Sequence, residues 1–406
     1  MNIAMMVRGY IPVPRPADMI YAPIDLASAI AEGLSRRGHN VDFYAPLGSR
    51  VPRARVESCN LRPLVKSSSE FRELIADPEK LIHYVPGLWD EYMARCMFER
   101  AKQGEYDILH FHHPESALSL SQNYPKIPVA YTIHDPISPW LKEVFDIYKS
   151  SNQHCISISN NQRRDGPDLP YVTTVHNGVD VKKYDFSSRT EDYLLFVGRV
   201  VPEKGVKEAI AVARETRQRL LIIGPTYADS QGYFDQYIKP QLDDQILYLG
   251  YVEQDKISPY YQKAKALLTP VQWEEPFGLT TIEAMASGTP VISFNRGAAP
   301  EIIENGKTGY VVDSTAEMID AVNKIKNIRR IACRRHVEDH FSISKMVDGY
   351  EAAFEKIINE RKTSFIVRRG LKQVPKAIRE TSAQRRLQKI IKKSPIAKTA
   401  KPKKQK

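Results

Sequence analysis

Cysteine is scarce. The 406 residues hold four, Cys59, Cys96, Cys155 and Cys333, scattered without the spacing of a zinc site or a disulfide framework. Four reduced thiols with structural roles in a cytoplasmic protein are therefore expected. No run of about 18 uncharged apolar residues occurs, so no membrane span is expected, and Met1-Asn-Ile-Ala-Met-Met-Val7 is too short for a secretory signal and reads as a first buried strand. Asp-x-Asp, the simplest carboxylate pair for a divalent cation, is absent. Aromatics are nearly missing from the last 46 residues, where Phe365 stands alone among the charges, which disfavours base stacking on a nucleic acid.

What is present has the make-up of an ordinary globular protein. A 42% hydrophobic content over this length suffices for two or three domains with cores of their own. The net charge of +11 is unevenly spread. Residues 361–406 carry 17 Lys and Arg against one acid, Glu380, which is +16 and leaves residues 1–360 at −5. The basic end, closing on Lys401-Pro-Lys-Lys-Gln-Lys406, has the low complexity of a disordered tail. Such a tail suits anionic lipid, nucleic acid or an acidic polymer through the same salt-sensitive attraction, or remains solvated without a partner.

Strand and helix patterns alternate twice. Apolar runs at Ile3–Val7, Val41–Tyr44, Ile108–Phe111, Val129–Ile133, Cys155–Ser159 and Val172–Val175, with helical spacing over Ile24–Arg37, predict one parallel α/β sheet. Leu194–Val197, Leu220–Ile223, Ile246–Leu249, Ala266–Thr269, Val291–Ser293 and Tyr310–Val312 predict a second. The turn signal His176-Asn-Gly-Val-Asp180 divides them. Ligands of open α/β sheets gather beyond the strands' carboxyl ends, so the active cleft is expected between the domains.

The most informative segment is Glu275-Pro-Phe-Gly-Leu-Thr-Thr-Ile-Glu283, continuing through Ala284-Met-Ala-Ser-Gly288 into the apolar Val291–Ser293. Thr280 and Thr281 read as cap residues, Thr281–Ser287 as helix with Glu283 on its first turn, and Gly288 as its stop. A helix N-terminus offers free N–H groups and partial positive charge, so a phosphate can dock between the two carboxylates while each accepts hydroxyl donors. Glutamate in a first turn also complements the helix dipole with no ligand at all. The whole run closely resembles the E-x7-E signature of family 4 glycosyltransferases, retaining enzymes of GT-B fold. The resemblance covers roughly residues 1–360 and is strongest over 170–315. It implies an α/β architecture of two facing, doubly wound Rossmann-like domains with an interdomain cleft.

Further segments take roles from the same resemblance. Gly198-Arg-Val-Val-Pro-Glu-Lys-Gly205 puts a guanidinium and an ammonium beyond the strand Leu194–Val197, able to neutralise a departing diphosphate. Arg199 and Lys204 are the family's phosphate binders, and with Gly198 they form the donor loop; taken with the missing Asp-x-Asp, these cations imply a metal-free mechanism. Tyr131-Thr-Ile-His134-Asp135 resembles the segment whose histidine orients the reacting sugar, although a lone histidine there is often structural. His110-Phe-His-His113 has poor metal-ligand spacing, and one of His112 and His113 is expected to line the acceptor side. Gly250-Tyr-Val252 resembles the seat of the base, on a motif of low specificity. The family's Gly-Gly pair after the first strand is reduced to Gly9, expected at the donor. The surrounding Arg8-Gly9-Tyr-Ile-Pro-Val-Pro-Arg-Pro-Ala-Asp18 is stiffer, and Arg8 and Arg15 point to an anionic or unusual acceptor.

The expected organisation is an acceptor domain over 1–177, a nucleotide-sugar donor domain over 178–341, a helix over 342–360 crossing back to the first domain, and the basic tail over 361–406. The expected function is retaining transfer from a UDP- or GDP-sugar to a hydroxyl acceptor, a lipid-linked one among the candidates, in cell-envelope glycan or glycolipid synthesis. No cofactor is expected beyond the sugar nucleotide, and no specific nucleic acid. Glu275, Arg199, Lys204 and His134 are the catalytic candidates. Glu283, Phe277, Gly278, Leu279, Gly198 and Gly9 are the donor-binding candidates, with Glu283 on the ribose. A sugar-nucleotide epimerase on the same fold, or a scaffold acting through its tail, are the alternatives. A cytoplasmic place, peripheral at the inner membrane face through residues 361–406, completes the expectation.

Overall fold

Thirteen strands form among the described residues, and all their pairings are parallel. The computed structural model describes residues 1–228 and 230–373, with side chains through Arg361. Residues Met1–Glu355 form one compact unit, and a second begins at Lys356. The basic residues of the tail lie, apart from Arg361, outside the described side chains.

The first sheet consists of β1 (Asn2–Met6), β2 (Asn40–Tyr44), β3 (Arg55–Glu57), β4 (Ile108–Phe111), β5 (Val129–Ile133), β6 (Gln153–Ser157) and β7 (Tyr171–Thr174). Their spatial order is β3-β2-β1-β4-β5-β6-β7. The second sheet consists of β8 (Tyr193–Val197), β9 (Arg219–Ile223), β10 (Ile246–Gly250), β11 (Ala266–Thr269), β12 (Val291–Phe294) and β13 (Gly309–Val312), in the order β10-β9-β8-β11-β12-β13. The apolar runs are continuous because helices cover both faces: every residue of β4, β5 and β12 is buried. Of the polar groups within them, His110 Nε2 lies 2.8 Å from Thr132 Oγ1. Only β3 escapes the sequence pattern. It is a three-residue edge strand reading Arg-Val-Glu, with Arg55 paired to Asp42 and Glu57.

Helices follow their apolar spacing. Ala22–Arg36 buries Ile24, Ala27, Ile30, Ala31 and Leu34, the three-and-four step of an amphipathic helix, with a proline in its first turn and Gly38 at φ +87° beyond its end. Val85–Lys102 lays Met93, Met97 and Phe98 against Leu109, Phe111 and Tyr131. The helix Ile343–Gln373 starts on the first sheet's side: Val347 lies against Gly33, Glu351 bonds Arg37 (2.5 Å) and His39 (2.6 Å), and Tyr350 takes a hydrogen bond from Thr132 (3.1 Å).

One buried cation ties the second domain together. Arg330, 8% exposed, donates to the carbonyls of Ser187 (2.7 Å), Ala264 (2.8 Å) and Gln262 (2.6 Å) and to Thr289 Oγ1 (2.7 Å). Burial pulls its pKa down to about 10. Replacing Arg330 with Met leaves several acceptors unsatisfied and is expected to cost about 3 kcal/mol in urea unfolding. A loss below about 0.5 kcal/mol would show that the carbonyls do not depend on it.

Candidate functional site

A cleft of about 1830 Å³ opens between the two sheets and is lined from both. On the second-domain side the chain leaves β8 through Gly198, whose N–H is held by the Ile223 carbonyl (3.0 Å) and whose own carbonyl occupies the place of any Cβ at Gly224. Arg199 follows, 44% exposed and only loosely paired with Glu203 at 3.8 Å. The short turn Pro202–Lys204 ends at Gly205 (φ +75°), which starts the helix Val206–Glu215. This turn places Lys204 Nζ 2.5 Å from Glu275 Oε1 and 5.3 Å from the centre of the Trp273 ring. The sequence separates Lys204 and Glu275 by 71 residues, yet here they are one ion pair.

Glu275 lies in the loop between β11 and the helix Leu279–Ala286. That helix starts two residues earlier than its threonines suggest. Gly278 at φ +92° is the N-cap, no side chain caps the turn, and neither Thr280 nor Thr281 precedes the helix as a cap. Only glycine takes this turn without strain. The uncapped first-turn N–H groups and Arg199 line the same cleft as the Lys204–Glu275 pair, a concentration of donors and positive charge suited to an anion. Leu279 also lines it. Phe277 is 5% exposed and sits between His176 and Phe341, with ring centres 5.9 and 6.2 Å away; it braces the loop.

The early start moves Glu283 from the first turn to the second. Its carboxylate is 7% exposed and accepts from Gln254 Nε2 (2.8 Å) and Tyr261 OH (2.8 Å), with Tyr184 as a further partner. Burial has the largest influence and raises its pKa above the usual 4.5, against the donors that favour the ionised form. Gln254 and Tyr184 share the cleft wall with Glu283, and Tyr251 hydrogen-bonds Ala17 O (3.2 Å) on the opposite side.

On the first-domain side His134 lines the cleft at the end of β5. The other expectations here need correction. Gly9 is buried and donates its N–H to Asp90 Oδ1 (2.6 Å), and a Cβ there would run into the Trp89 carbonyl. Its glycine serves packing against the helix Val85–Lys102, and its amide is not free for a donor. His112 and His113 are 1% and 5% exposed and do not line the cleft. His112 Nδ1 lies 2.8 Å from His134 Nε2, and His113 Nε2 lies 2.6 Å from Tyr21 OH, which does line it. The two arginines are already neutralised: Arg8 pairs with Asp90 (2.9 Å) and Glu115 (3.2 Å), and Arg15 pairs with Asp25 (2.8 Å) and bonds Met19 O. They give no ground for an anionic acceptor.

Several positioning groups escaped the sequence reading. Gly297 (φ +56°) packs on the backbone of Glu275, where any Cβ would overlap, and Ala298 N–H donates to Glu275 O (3.0 Å). Glu274 accepts from Gly297 N (2.8 Å) and reaches Asn161 Nδ2 (3.3 Å) in the first domain. Glu301 accepts from the amides of Asn160 (2.8 Å) and Asn161 (2.7 Å) and bonds His176 Nε2 (3.0 Å). The available signal was Asn295-Arg-Gly-Ala-Ala-Pro-Glu301, a glycine-bearing loop directly after a strand. Among the described residues no group of three or more His, Cys, Asp or Glu converges as a metal site.

Because its folded-state pKa is raised, Glu283 contributes stability that is complete below pH 4.5 and is lost as pH rises through the folded value. Glu283→Gln keeps the shape without the charge. At pH 8 it is expected to melt about 2 °C or more above the wild type, with the gap closing as the pH falls toward 4.5. A variant that melts lower at pH 8 would mean that the three donors outweigh burial.

Residues 26–183 match the family model described as Glycosyltransferase Family 4, and residues 181–337 match that described as Glycosyl transferases group 1. The glycogen synthase of Mycobacterium tuberculosis is 29% identical over 237 residues, 50% of this chain and 55% of that protein, so the chain spans about half of that relative's length. The N-acetyl-alpha-D-glucosaminyl L-malate synthase of Bacillus anthracis is 24% identical over 386 residues, 84% and 95% of the two chains. Among solved structures, Anabaena HepE in complex with UDP aligns with a TM-score of 0.65 at 15% identity, over 88% of this chain and 100% of that one. The fold is GT-B, and the chain belongs to the group 1, family 4 glycosyltransferases.

Proposed function

We propose that the chain is a retaining glycosyltransferase that moves a sugar from a nucleoside diphosphate sugar, UDP- or GDP-linked, to a hydroxyl acceptor without a metal ion. One observation carries this reading: Arg199, Lys204, the uncapped helix start at Gly278-Leu279, Glu275 and Glu283 all face one cleft. The UDP held by the Anabaena neighbour supports the donor class. Residues 178–341 would take the donor and residues 1–177 the acceptor.

In this mechanism the diphosphate lies against Arg199, Lys204 and the first-turn amides, Glu275 bonds the sugar hydroxyls, Glu283 bonds the ribose, and His134 orients the sugar. The bond between the anomeric carbon and the diphosphate oxygen breaks, and its electron pair leaves with the diphosphate. The cations and amides stabilise that charge where it develops. The acceptor oxygen attacks from the face the diphosphate leaves, and its proton passes to the departing phosphate oxygen, so no protein base is needed. Lys204 changes partner in the process, exchanging part of its hold on Glu275 for phosphate. The acceptor wall includes Val13, Pro14, Ile20, Pro23, Val51 and Pro52. Arg15, Asp25, Glu32, Arg36 and Arg50 line the same wall, and this mixture suits a polar, hydroxyl-bearing acceptor joined to an apolar portion, such as a lipid-linked glycan of the cell envelope.

Diphosphate release from a panel of UDP-, GDP- and ADP-sugars with crude lipid and polysaccharide acceptors tests the reading. One sugar nucleotide should be consumed with its sugar appearing on the acceptor, and Lys204→Ala or Glu275→Ala should lower kcat about 10²–10³-fold. Saturable binding with release of an epimerised sugar nucleotide instead would favour the epimerase.

The +16 carried by residues 361–406 suits the anionic face of a membrane where such an acceptor resides. Flotation with liposomes containing anionic lipid should fall about tenfold or more on removing residues 361–406 and weaken with salt. Unchanged flotation would show that residues 361–406 do not hold the protein at a membrane.

A further inference from the structure

Strands β4 and β5 are neighbours in register, with Phe111 opposite Tyr131, so the residues that follow them leave the sheet at one edge. This brings His112 Nδ1 to 2.8 Å from His134 Nε2. The second nitrogen of His112, Nε2, is buried and has no hydrogen-bond partner. His134 lines the cleft, and its Nδ1 makes no hydrogen bond among the described residues.

Both rings are neutral at physiological pH. Burial pulls His134 down to about 3 and His112 well below the ordinary value, with neighbouring imidazoles adding to the effect. Each ring therefore carries one proton, and the short contact admits two arrangements. If His134 Nε2 donated, His112 would hold its proton on Nε2, a buried N–H with nothing to bond. If His112 Nδ1 donates, the orphan on Nε2 is only a lone pair. Unpaired buried donors are rarer and costlier than under-used acceptors, so the second arrangement wins.

We propose that His112 is a positioning residue: its Nδ1–H donates to His134 Nε2 and thereby fixes the proton of His134 on Nδ1. His134 then faces the cleft as a hydrogen-bond donor toward a sugar or phosphate oxygen, and it does not act as the base. The nature of that ligand rests on the glycosyl-transfer reading; the tautomer does not.

The test combines histidine ¹⁵N NMR of the full chain with kinetics. The wild type should show His134 protonated on Nδ1. His112→Asn, whose Nδ2 can take the place of Nδ1, should keep that state and most of the activity. His112→Leu should shift the proton to Nε2 and lower kcat by about 10–100-fold with a much smaller change in donor KM. A wild-type spectrum with the proton on Nε2 would overturn the proposal, as would folded Asn and Leu variants that lose kcat equally. If His112→Leu does not fold, the wild-type spectrum and the Asn variant decide. A chain inactive with every sugar nucleotide but protonated on Nδ1 of His134 would contradict the transferase reading and leave the role of His112 standing.

Discussion

Parallel pairing makes all the strands of one sheet emerge at a single edge, and loops from the emerging edges of both sheets line one cleft. Each group placed in the cleft uses this constraint. Arg199 and Lys204 come off β8, Glu275 and the helix start off β11, and His134 off β5, while Gly297, off β12, backs the Glu275 main chain. Residues separated by tens of positions become hydrogen-bond partners because adjacent strands end side by side. The buried strands supply rigidity, while the loops supply the charges that could not be buried within the sheet.

The charges in the cleft are held in balance. Lys204 is committed to Glu275 and rests over Trp273, while Arg199 is partly exposed and only loosely paired with Glu203. An anion at this end of the cleft would therefore meet Arg199, the Lys204 that Glu275 holds, and the uncapped amides of the helix start. Glu283 is the opposite case, a carboxylate kept buried against its own solvation preference by Gln254, Tyr261 and Tyr184. A group that raises its own pKa by burial detracts from stability at neutral pH, which is the usual mark of a residue retained for binding. The positive-φ glycines at 205, 278 and 297 shape these loops where a side chain would strain the turn or strike its neighbour.

The alternation of apolar runs with helical spacing made both sheets legible, because fully buried parallel strands read as continuous Val, Ile and Leu. β3 was not legible: its three residues Arg-Val-Glu carry no apolar run, and Arg55 is held by Asp42 on the neighbouring strand and by Glu57 within its own. The helices between 68 and 102 were missed where the family resemblance is thin. The residues of the donor side were legible as a motif, but their pairing was not. Nothing in the sequence says that Lys204 reaches Glu275, or that Gly278 rather than a threonine caps the helix, since positive φ at a glycine leaves no trace in residue spacing. Gly9, Arg8 and Arg15 misled for the same reason. Their partners Asp90, Glu115 and Asp25 lie 10 to 107 residues away and neutralise what looked like a free phosphate loop. Likewise, His112 could be seen only as one of a cluster until the fold set it against His134.

The proposed diphosphate site is made of Arg199, Lys204 and the start of the helix Leu279–Ala286. A crystal structure of the full chain with UDP or GDP tests it most directly. The β-phosphate should lie within hydrogen-bond distance of Lys204 and the first-turn amides, the ribose hydroxyls on Glu283, and the Lys204–Glu275 contact should lengthen. A nucleotide bound elsewhere in the cleft, with that ion pair intact and Glu283 still bonded only to Gln254 and its tyrosines, would contradict it.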